Sequence, residues 1–569
     1  MSPTTRRLGS GLLAAAGLLA ITTLLARVIG FGRWLVFSGS VGTTCVGEVY
    51  QSANVLPNVL YEVAAGGALA AVAVPLIAGQ LGRGDEAAAD RAASAMLTWA
   101  VAVLVPLAVL LAVLAHPISN VLLGNNGCAE GVDSASVELG ATMLVVFAPQ
   151  VVLYGVGIVL AGILQAHRRF FAVAIAPLLS SVVVIATYLL YAHLAGADGG
   201  DPTTLSGTAA YTLAGGTTLG VVVLSLPLLV PVWRTGIRLR PTFGFPPGLA
   251  RRAGALAAAG VLALLAQQLA VLVTVWVSNR HGGTGTVNVY TYVQAIYLLP
   301  YGVLAVPVAM SAFPTLAARV SEHLEGRSAT GSPGDVAGPA QVETTPDTSL
   351  PMLATSTRVV LAAGCLGAAL LVAAAVPIGG FFRVLDVGAG TRAGSASLDA
   401  MPAALLAYAP GLVGFGLAAV LTRALYVRGH PMAAALSVGA GWLVAALAPL
   451  LLLHGEPGTE TVLVTLGASS SVGMTLAALA LLVAVRRAWG GTGLAGVRRT
   501  AAAAVCAAAV AAAAGWLVGR LVPHDSLGTA LGAGILAGTL ALAIFAMGMA
   551  LGDRSAAAMV WRRLARRWV

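Results

Sequence analysis

Two arginines, Arg27 and Arg33, lie within a stretch that is otherwise apolar enough to cross a membrane. A charge on a membrane-embedded helix costs about 2.5–3.5 kcal/mol on insertion scales, so it normally faces protein or a water-filled cavity. The planar guanidinium suits phosphate groups because it donates paired, charge-assisted hydrogen bonds. The two residues therefore predict an anion site within the membrane. A structural role, in which they pair with Glu48 or Glu62 or reach the membrane surface, stays open.

The composition excludes most classes of soluble protein. Of the 569 residues, 58% are hydrophobic and only 9% are charged, which is typical of a chain that crosses a membrane many times. A net charge of +10 would favour nucleic-acid binding in a soluble protein. Here the basic residues, all of them arginines, fall mainly in short loops between apolar runs, so they indicate membrane orientation and no nucleic-acid partner.

The sequence carries no motif of a catalytic site, a cofactor site or a metal site. A P-loop, a His-Glu-x-x-His pair and a Cys-x-x-Cys pair are all lacking. We therefore expect a transporter rather than an enzyme. Its energy would come from an ion gradient or from the membrane potential.

Fourteen apolar runs are long enough to span a bilayer, which needs about 20 residues. The predicted fold is an all-α polytopic membrane protein with about 14 transmembrane helices. The runs lie near residues 10–37, 48–81, 93–122, 137–165, 171–195, 206–232, 253–278, 287–317, 357–382, 401–426, 431–453, 461–485, 500–519 and 526–551.

The distribution of arginines supports this count. With the N-terminus in the cytoplasm, 25 of the 31 arginines fall in cytoplasmic segments and four in outer loops, and the other two are Arg27 and Arg33. Such a bias is typical of membrane proteins, and one missed helix would reverse the side of every later loop. Both termini are therefore expected in the cytoplasm.

Similar features recur six helices apart, which predicts an internal repeat. Helix two has a Leu-Pro pair at Pro57 and then Pro75, and helix eight has one at Pro300 and then Pro314. We expect two six-helix lobes in parallel repeat, an arrangement in which transporters hold substrate between the lobes. The predicted divisions are an N-terminal lobe at 1–233, a cytoplasmic linker at 234–252, a C-terminal lobe at 253–490 with a disordered inner loop at 321–351, two extra helices at 491–552 and a basic cytoplasmic tail at 553–569.

The stretch from Arg27 to Pro75 resembles the MurJ (MviN) family of lipid II flippases, members of the MOP exporter superfamily. The likeness is carried by Arg-Val-Ile-Gly-Phe-Gly-Arg at 27–33, an acid about 15 residues later, Leu-Pro-Asn at 56–58, and Gly-Gly-Ala-Leu followed by Val-Pro. It is strongest in the first two helices and continues more weakly to about residue 490.

This resemblance implies a function and its partners. The protein would move lipid II, an anionic undecaprenyl-diphosphate-linked peptidoglycan precursor, from the inner to the outer leaflet by alternating access during cell-wall synthesis. It would act as a monomer in the bacterial plasma membrane, without a cofactor, and cell-wall synthesis enzymes are candidate partners.

The resemblance also implies which residues bind the substrate. The arginines would hold the diphosphate, and Glu48 would balance them within one charged cavity. Asn58 follows a helix-breaking proline, so it either organises the broken helix or contacts substrate. The expected substrate-binding set is Arg27, Arg33, Glu48, Asn58, Tyr61 and Gln294.

The sequence departs from the family pattern at two positions. Members often carry a basic residue where this chain has Tyr61, and many carry an arginine where it has Ala295. Two cavity cations are therefore missing, although Tyr61 and the neighbouring Gln294 still offer hydrogen bonds to a sugar or a phosphate.

Two other functions stay open at this point. The protein exports another wall-polymer lipid intermediate, or it is a degenerate flippase that serves as a scaffold for wall-synthesis enzymes. A drug–cation antiporter is disfavoured because its cavity would be acidic. Cys45 and Cys128 both fall in loops predicted on the outer side, and the sequence leaves a disulfide between them undecided.

Overall fold

The computed structural model is dominated by α-helices, and the residues that it describes contain no strand. The predicted all-α fold is confirmed. The described residues are 22, 25–63, 68–126, 128, 132–196, 199–244, 249–310, 316, 349–388 and 395–553. Most of the predicted disordered loop at 321–351 and of the basic tail at 553–569 lies outside these ranges.

Contacts within the chain define two compact units. The first comprises Met1–Tyr292, Phe382–Ala400 and Leu453–Val462, and the second comprises Val293–Phe381, Met401–Leu452 and Leu463–Val569. These units follow spatial contact, so the two repeat-related lobes stay a prediction.

The described helices begin with α1, which is seen from 25 to 40. The next nine are α2 (Cys45–Tyr61), α3 (Ala68–Leu81), α4 (Glu86–Val113), α5 (Ala115–Leu123), α6 (Asp133–Ala166), α7 (Phe170–Ala195), α8 (Gly207–Ser225), α9 (Leu229–Trp233) and α10 (Leu249–His281). The others are α11 (Thr286–Pro300), α12 (Ser349–Gly388), α13 (Ser395–Leu398), α14 (Met401–Tyr408), α15 (Gly411–Val427), α16 (Pro431–Leu452), α17 (Thr459–Trp489), α18 (Val497–Leu521) and α19 (Leu527–Gly552).

Within the described part of the chain, eleven helical segments are long and apolar enough to cross a membrane. The bent pair α14 and α15 makes up to a twelfth. Helix α1 and the pair α2 and α3 are not among them, because α1 is described only from residue 25 and α2 and α3 are separate helices of 17 and 14 residues. The multi-pass character is therefore confirmed, and the count of fourteen stays a prediction.

In the second unit, α18 and α12 approach each other closely through small residues. A Cβ atom added at Gly519 would lie 2.9 Å from the carbonyl oxygen of Ala373, and one at Gly515 would meet the side chain of that alanine. Membrane helices lack a hydrophobic driving force between them, so they associate through such close backbone packing.

A buried ion pair also joins the C-terminal helices to α12. The Arg358 guanidinium donates to the Asp553 carboxylate at 2.9 and 3.2 Å, and its Nε donates to Thr500 Oγ1 at 2.8 Å. The Thr500 hydroxyl in turn donates to Asp553 at 2.6 Å. Because Asp553 is fully buried, its charge depends on these donors, and the pair fixes the ends of α18 and α19 against α12.

Replacing Asp553 with alanine tests this attachment. The Asp553→Ala change leaves the Arg358 guanidinium without its buried carboxylate, which costs about 3–5 kcal/mol, so the thermal midpoint of the purified protein should fall. Asp399→Ala is the matched control because it removes only the exposed Arg383–Asp399 pair, worth about 0–1 kcal/mol. Equal effects of the two changes would contradict a structural role for the buried pair.

The described part of the predicted linker, 234–244, is attached to α4. Side chains of that helix bond the backbone of the extended segment through three contacts: Ser94 Oγ accepts from Arg240 N at 2.9 Å, Thr98 Oγ1 accepts from Thr242 N at 3.1 Å, and Trp99 Nε1 donates to Phe243 O at 3.1 Å. This part of the chain is therefore held to the first unit.

A disulfide joins Cys45 to Cys128, with their Cα atoms 5.9 Å apart. It links the first residue of α2 to the loop between α5 and α6. The sequence had left this bond undecided, because spacing alone does not show which cysteines meet.

Candidate functional site

Helix α1 carries the two arginines that the sequence singled out. Arg27 is exposed, and Arg33 is half-buried with its Nε atom shielded from solvent and without a hydrogen-bond partner. The Arg33 guanidinium carbon lies 5.2 Å from the centre of the Trp34 ring. Neither arginine forms an ion pair with any residue in the described ranges. Both therefore retain donors for an anion.

The spacing of these arginines sets how one ligand could meet them. Six residues along an ideal helix correspond to a rise of about 9 Å and a rotation of about 120° between side chains. Long arginine side chains can converge across such an offset on one extended anion, such as a diphosphate.

Glu48 is fully buried in the first turn of α2 and contacts the start of α11. Its Oε2 accepts a hydrogen bond from Gly285 N at 2.8 Å, and its Oε1 accepts one from Val287 N at 3.3 Å. The carboxylate therefore lies at the positive ends of two helices at once, where an anion is stabilised.

These contacts differ from the partner expected for Glu48. The sequence analysis placed its carboxylate beside an arginine, whereas in the described structure its hydrogen-bond donors are backbone amides. Backbone amides at a helix start carry no sequence signature, so residue types alone did not reveal this arrangement.

Further polar contacts surround Glu48 at this end of the first unit, which we call the α1–α2 end. Asp386, from the last turns of α12, accepts from the backbone and side chain of Thr43 at 3.0 and 2.9 Å. Asn288 Nδ2 donates to Gly42 O at 3.2 Å. Sequence reasoning missed both Asp386 and Asn288; an acid near the end of an apolar run was the available signal for Asp386.

An aromatic cluster lies next to these polar contacts. The centre of the Phe37 ring lies 5.6 Å from the ring centre of Tyr50, 5.2 Å from that of Tyr188 and 6.2 Å from that of Tyr292. The Tyr50 hydroxyl is 2.9 Å from the hydroxyls of both Tyr188 and Thr217, which satisfies it in the core. The core around Phe37 and Tyr50 at the α1–α2 end is therefore tightly packed.

The remaining predicted site residues have separate environments. Asn58 Nδ2 donates to Asn54 O at 2.8 Å beside Pro57, which favours its helix-organising role. The Tyr61 ring packs on Tyr154 with centroids 4.8 Å apart. Gln294 is half-buried on α11 and belongs to the second unit.

Comparison with known sequences assigns a family. The family model of lipid II flippase MurJ matches residues 37–531, so the arginines of α1 precede the matched region. A probable lipid II flippase MurJ of Rhizobium tropici is 27% identical over 52% of this chain and 53% of its own length. One from Synechocystis sp. is 30% identical over 41% of this chain and 42% of its own. The chain thus matches about half the length of these curated relatives.

Comparison with solved structures concerns the fold. A lipid II flippase MurJ in an inward closed conformation aligns with a TM-score of 0.67 at 16% identity, covering 94% of this chain and 99% of that one. An inward-facing multidrug resistance MATE family transporter of the MOP superfamily aligns with a TM-score of 0.57 at 16% identity, covering 84% and 95%. Because the family model spans most of its length, the chain belongs to the family of lipid II flippase MurJ.

Proposed function

We propose that this protein moves lipid II, an undecaprenyl-diphosphate-linked peptidoglycan precursor, from the inner to the outer leaflet of the bacterial plasma membrane by alternating access. The observation that carries the proposal is the pair of arginines on α1, which have no ion-pair partner among the described residues. Their guanidinium groups match a diphosphate in charge and geometry. Membership of the MurJ family supports the same substrate.

We assign distinct roles to the predicted site residues. Arg27 and Arg33 hold the diphosphate, and Tyr61 and Gln294 add neutral hydrogen bonds to the head group. Asn58 stabilises α2 beside Pro57 by donating to the carbonyl oxygen of Asn54. This division of roles needs fewer cations than the family pattern, because Arg27 and Arg33 supply the positive charge that faces the diphosphate.

Glu48 has a different role in this proposal. Its bonds to Gly285 and Val287 hold the α1–α2 end closed. Alternating access requires each end of the transport path to open in turn, so these bonds break during each cycle. The same carboxylate therefore sets the balance between the closed and open states of this end.

The direction of transport follows from charge and orientation. The arginine bias favours both termini in the cytoplasm, which places the α1–α2 end outside. An inside-negative potential drives an anionic lipid outward with about 2.3 kcal/mol per charge per 100 mV. The protein works as a monomer of two repeat-related lobes, and wall-synthesis enzymes receive its product.

Substitution of the α1 arginines tests the anion site. Arg27→Ala or Arg33→Ala should lower transport about 10- to 100-fold, since a hydrogen bond to a charged group contributes about 1.5–3 kcal/mol. Arg33→Lys should keep part of the activity because it retains charge but loses the fork. The measurement is exposure of the lipid-linked precursor at the outer leaflet, normalised to protein level. Arg83→Ala is the matched control, because Arg83 is an exposed loop arginine bonded to Gln80.

Normal transport by both alanine variants would refute the anion site. A loss of transport that only follows loss of the protein would instead assign the arginines to folding.

Substitution of Glu48 tests the closed end. Glu48→Ala leaves the amides of Gly285 and Val287 unpaired at a cost of about 1–3 kcal/mol, so the α1–α2 end should open more often. A cysteine at buried Ser52 should then react faster with a membrane-impermeant maleimide added outside. Glu48→Gln should have an intermediate effect, and Glu138→Gln, an exposed acid at the start of α6, should have none. Unchanged labelling in Glu48→Ala would contradict the closing role.

Labelling of intact cells tests the orientation. A cysteine at exposed Thr203, between α7 and α8, should react with an impermeant maleimide from outside. One at exposed Asp85, between α3 and α4, should react only after the membrane is permeabilised. The opposite pattern would reverse the proposed direction of transport.

A further inference from the structure

A polar cavity of about 840 Å³ opens at the α1–α2 end of the first unit. Three segments form its wall: the described part of the α5–α6 loop with Asn125 and Cys128, the C-terminal end of α10 with Arg280 and His281, and the α16–α17 loop with Glu456. A smaller cavity of about 170 Å³ shares Asn125 and Arg280 and adds Trp276. We call the two together the loop basin.

Specific contacts hold these three segments in place. Cys128 is bonded to Cys45, and His281 Nδ1 lies 2.8 Å from Gly455 O, within hydrogen-bond distance. Gly283 N donates to Thr459 Oγ1 at 3.1 Å. The Asn125 side-chain amide is oriented so that its nitrogen donates to Gly124 O and its oxygen accepts from the Arg280 guanidinium. These contacts hold the described residues of the loop basin together.

The side chains of the loop basin limit what it can bind. The lining contains Arg280 together with the carboxylates of Asp133 and Glu456, so the site has no strong excess of either charge. An apolar chain would leave these polar groups without partners, which costs free energy. A ligand with many hydroxyl and amide groups would satisfy the guanidinium, carboxylates and amides together.

Two further features favour a sugar-bearing ligand. The rim is rich in glycine, at Gly282, Gly283, Gly455 and Gly458, so a ligand can approach the backbone. Trp276 supplies a flat apolar ring with a polar tip beside Arg280, and such rings pack against the apolar faces of ligands that also hydrogen-bond. The larger cavity, of about 840 Å³, lies within the range of ligand sites, about 300–1,000 Å³, and exceeds the need of a single ion.

We propose that the loop basin binds the glycan–peptide head group of the transported lipid at the exit side of the membrane. This inference rests on the proposed function, which delivers such a head group to the α1–α2 end. Binding there holds the head group outside while the diphosphate leaves the arginines of α1, and so disfavours its return.

The test uses the full-length protein in nanodiscs and a soluble peptidoglycan fragment of one glycan repeat with its peptide, lacking diphosphate and lipid. Calorimetry should show saturable binding to the wild type. Arg280→Gln and Trp276→Leu should each weaken it at least tenfold. Arg383→Gln should leave it unchanged, because Arg383 lies in the same unit, pairs with Asp399 and does not line the basin.

Several results would overturn the inference. Inorganic diphosphate that displaces the fragment would identify a plain anion site, and binding of polymeric glycan but not of the single repeat would identify a wall-anchoring surface. Asn125→Ala provides a second variant, and each variant must melt at the wild-type temperature before its affinity is compared.

Failure of this inference is distinguishable from failure of the proposed function. Normal exposure of the lipid-linked precursor without fragment binding would refute the loop basin alone. Fragment binding without any such exposure would refute transport, and with it the head group of a transported lipid as the natural ligand.

Discussion

A single buried carboxylate holds two helix starts together in the first unit. Glu48 lies in the first turn of α2 and accepts hydrogen bonds from amides at the start of α11. The first amides of a helix have no partner within it, and hydrocarbon supplies none, so an acceptor from the protein is required. The contacts of Thr43 with Asp386 and the packing around Phe37 lie next to this arrangement. These contacts together join the start of α2 to α11 and to α12 at the α1–α2 end.

Much of the fold could be predicted from the sequence because its main signal is local. Apolar runs of sufficient length indicated the spanning helices, and eleven helical segments of the described chain pass that test. The break predicted at Pro57 is wrong, because α2 continues through this proline from Cys45 to Tyr61. The functional importance of α1 stays a prediction, which rests on the free-energy cost of a charge in an apolar membrane helix.

The partners of the site residues were less predictable, because they join distant parts of the chain. Thr43 and Asp386 are 343 residues apart, and Glu48 is bound by backbone atoms that every residue type carries. The pairing of Cys45 with Cys128 likewise depends on which loops meet in space. The attachment of 234–244 to α4 depends on serine, threonine and tryptophan side chains, and these residue types do not indicate such a contact in the sequence.

The disulfide has a consequence for the biogenesis of this protein. Its two cysteines are 83 residues apart, and α2 to α5 lie between them. A bond between them cannot form until the ribosome has synthesised the chain beyond α5. During that interval only noncovalent contacts hold the turn that precedes Glu48. A nascent chain that stalls before residue 128 therefore lacks this disulfide. Only a chain that extends beyond residue 128 can be oxidised to form it.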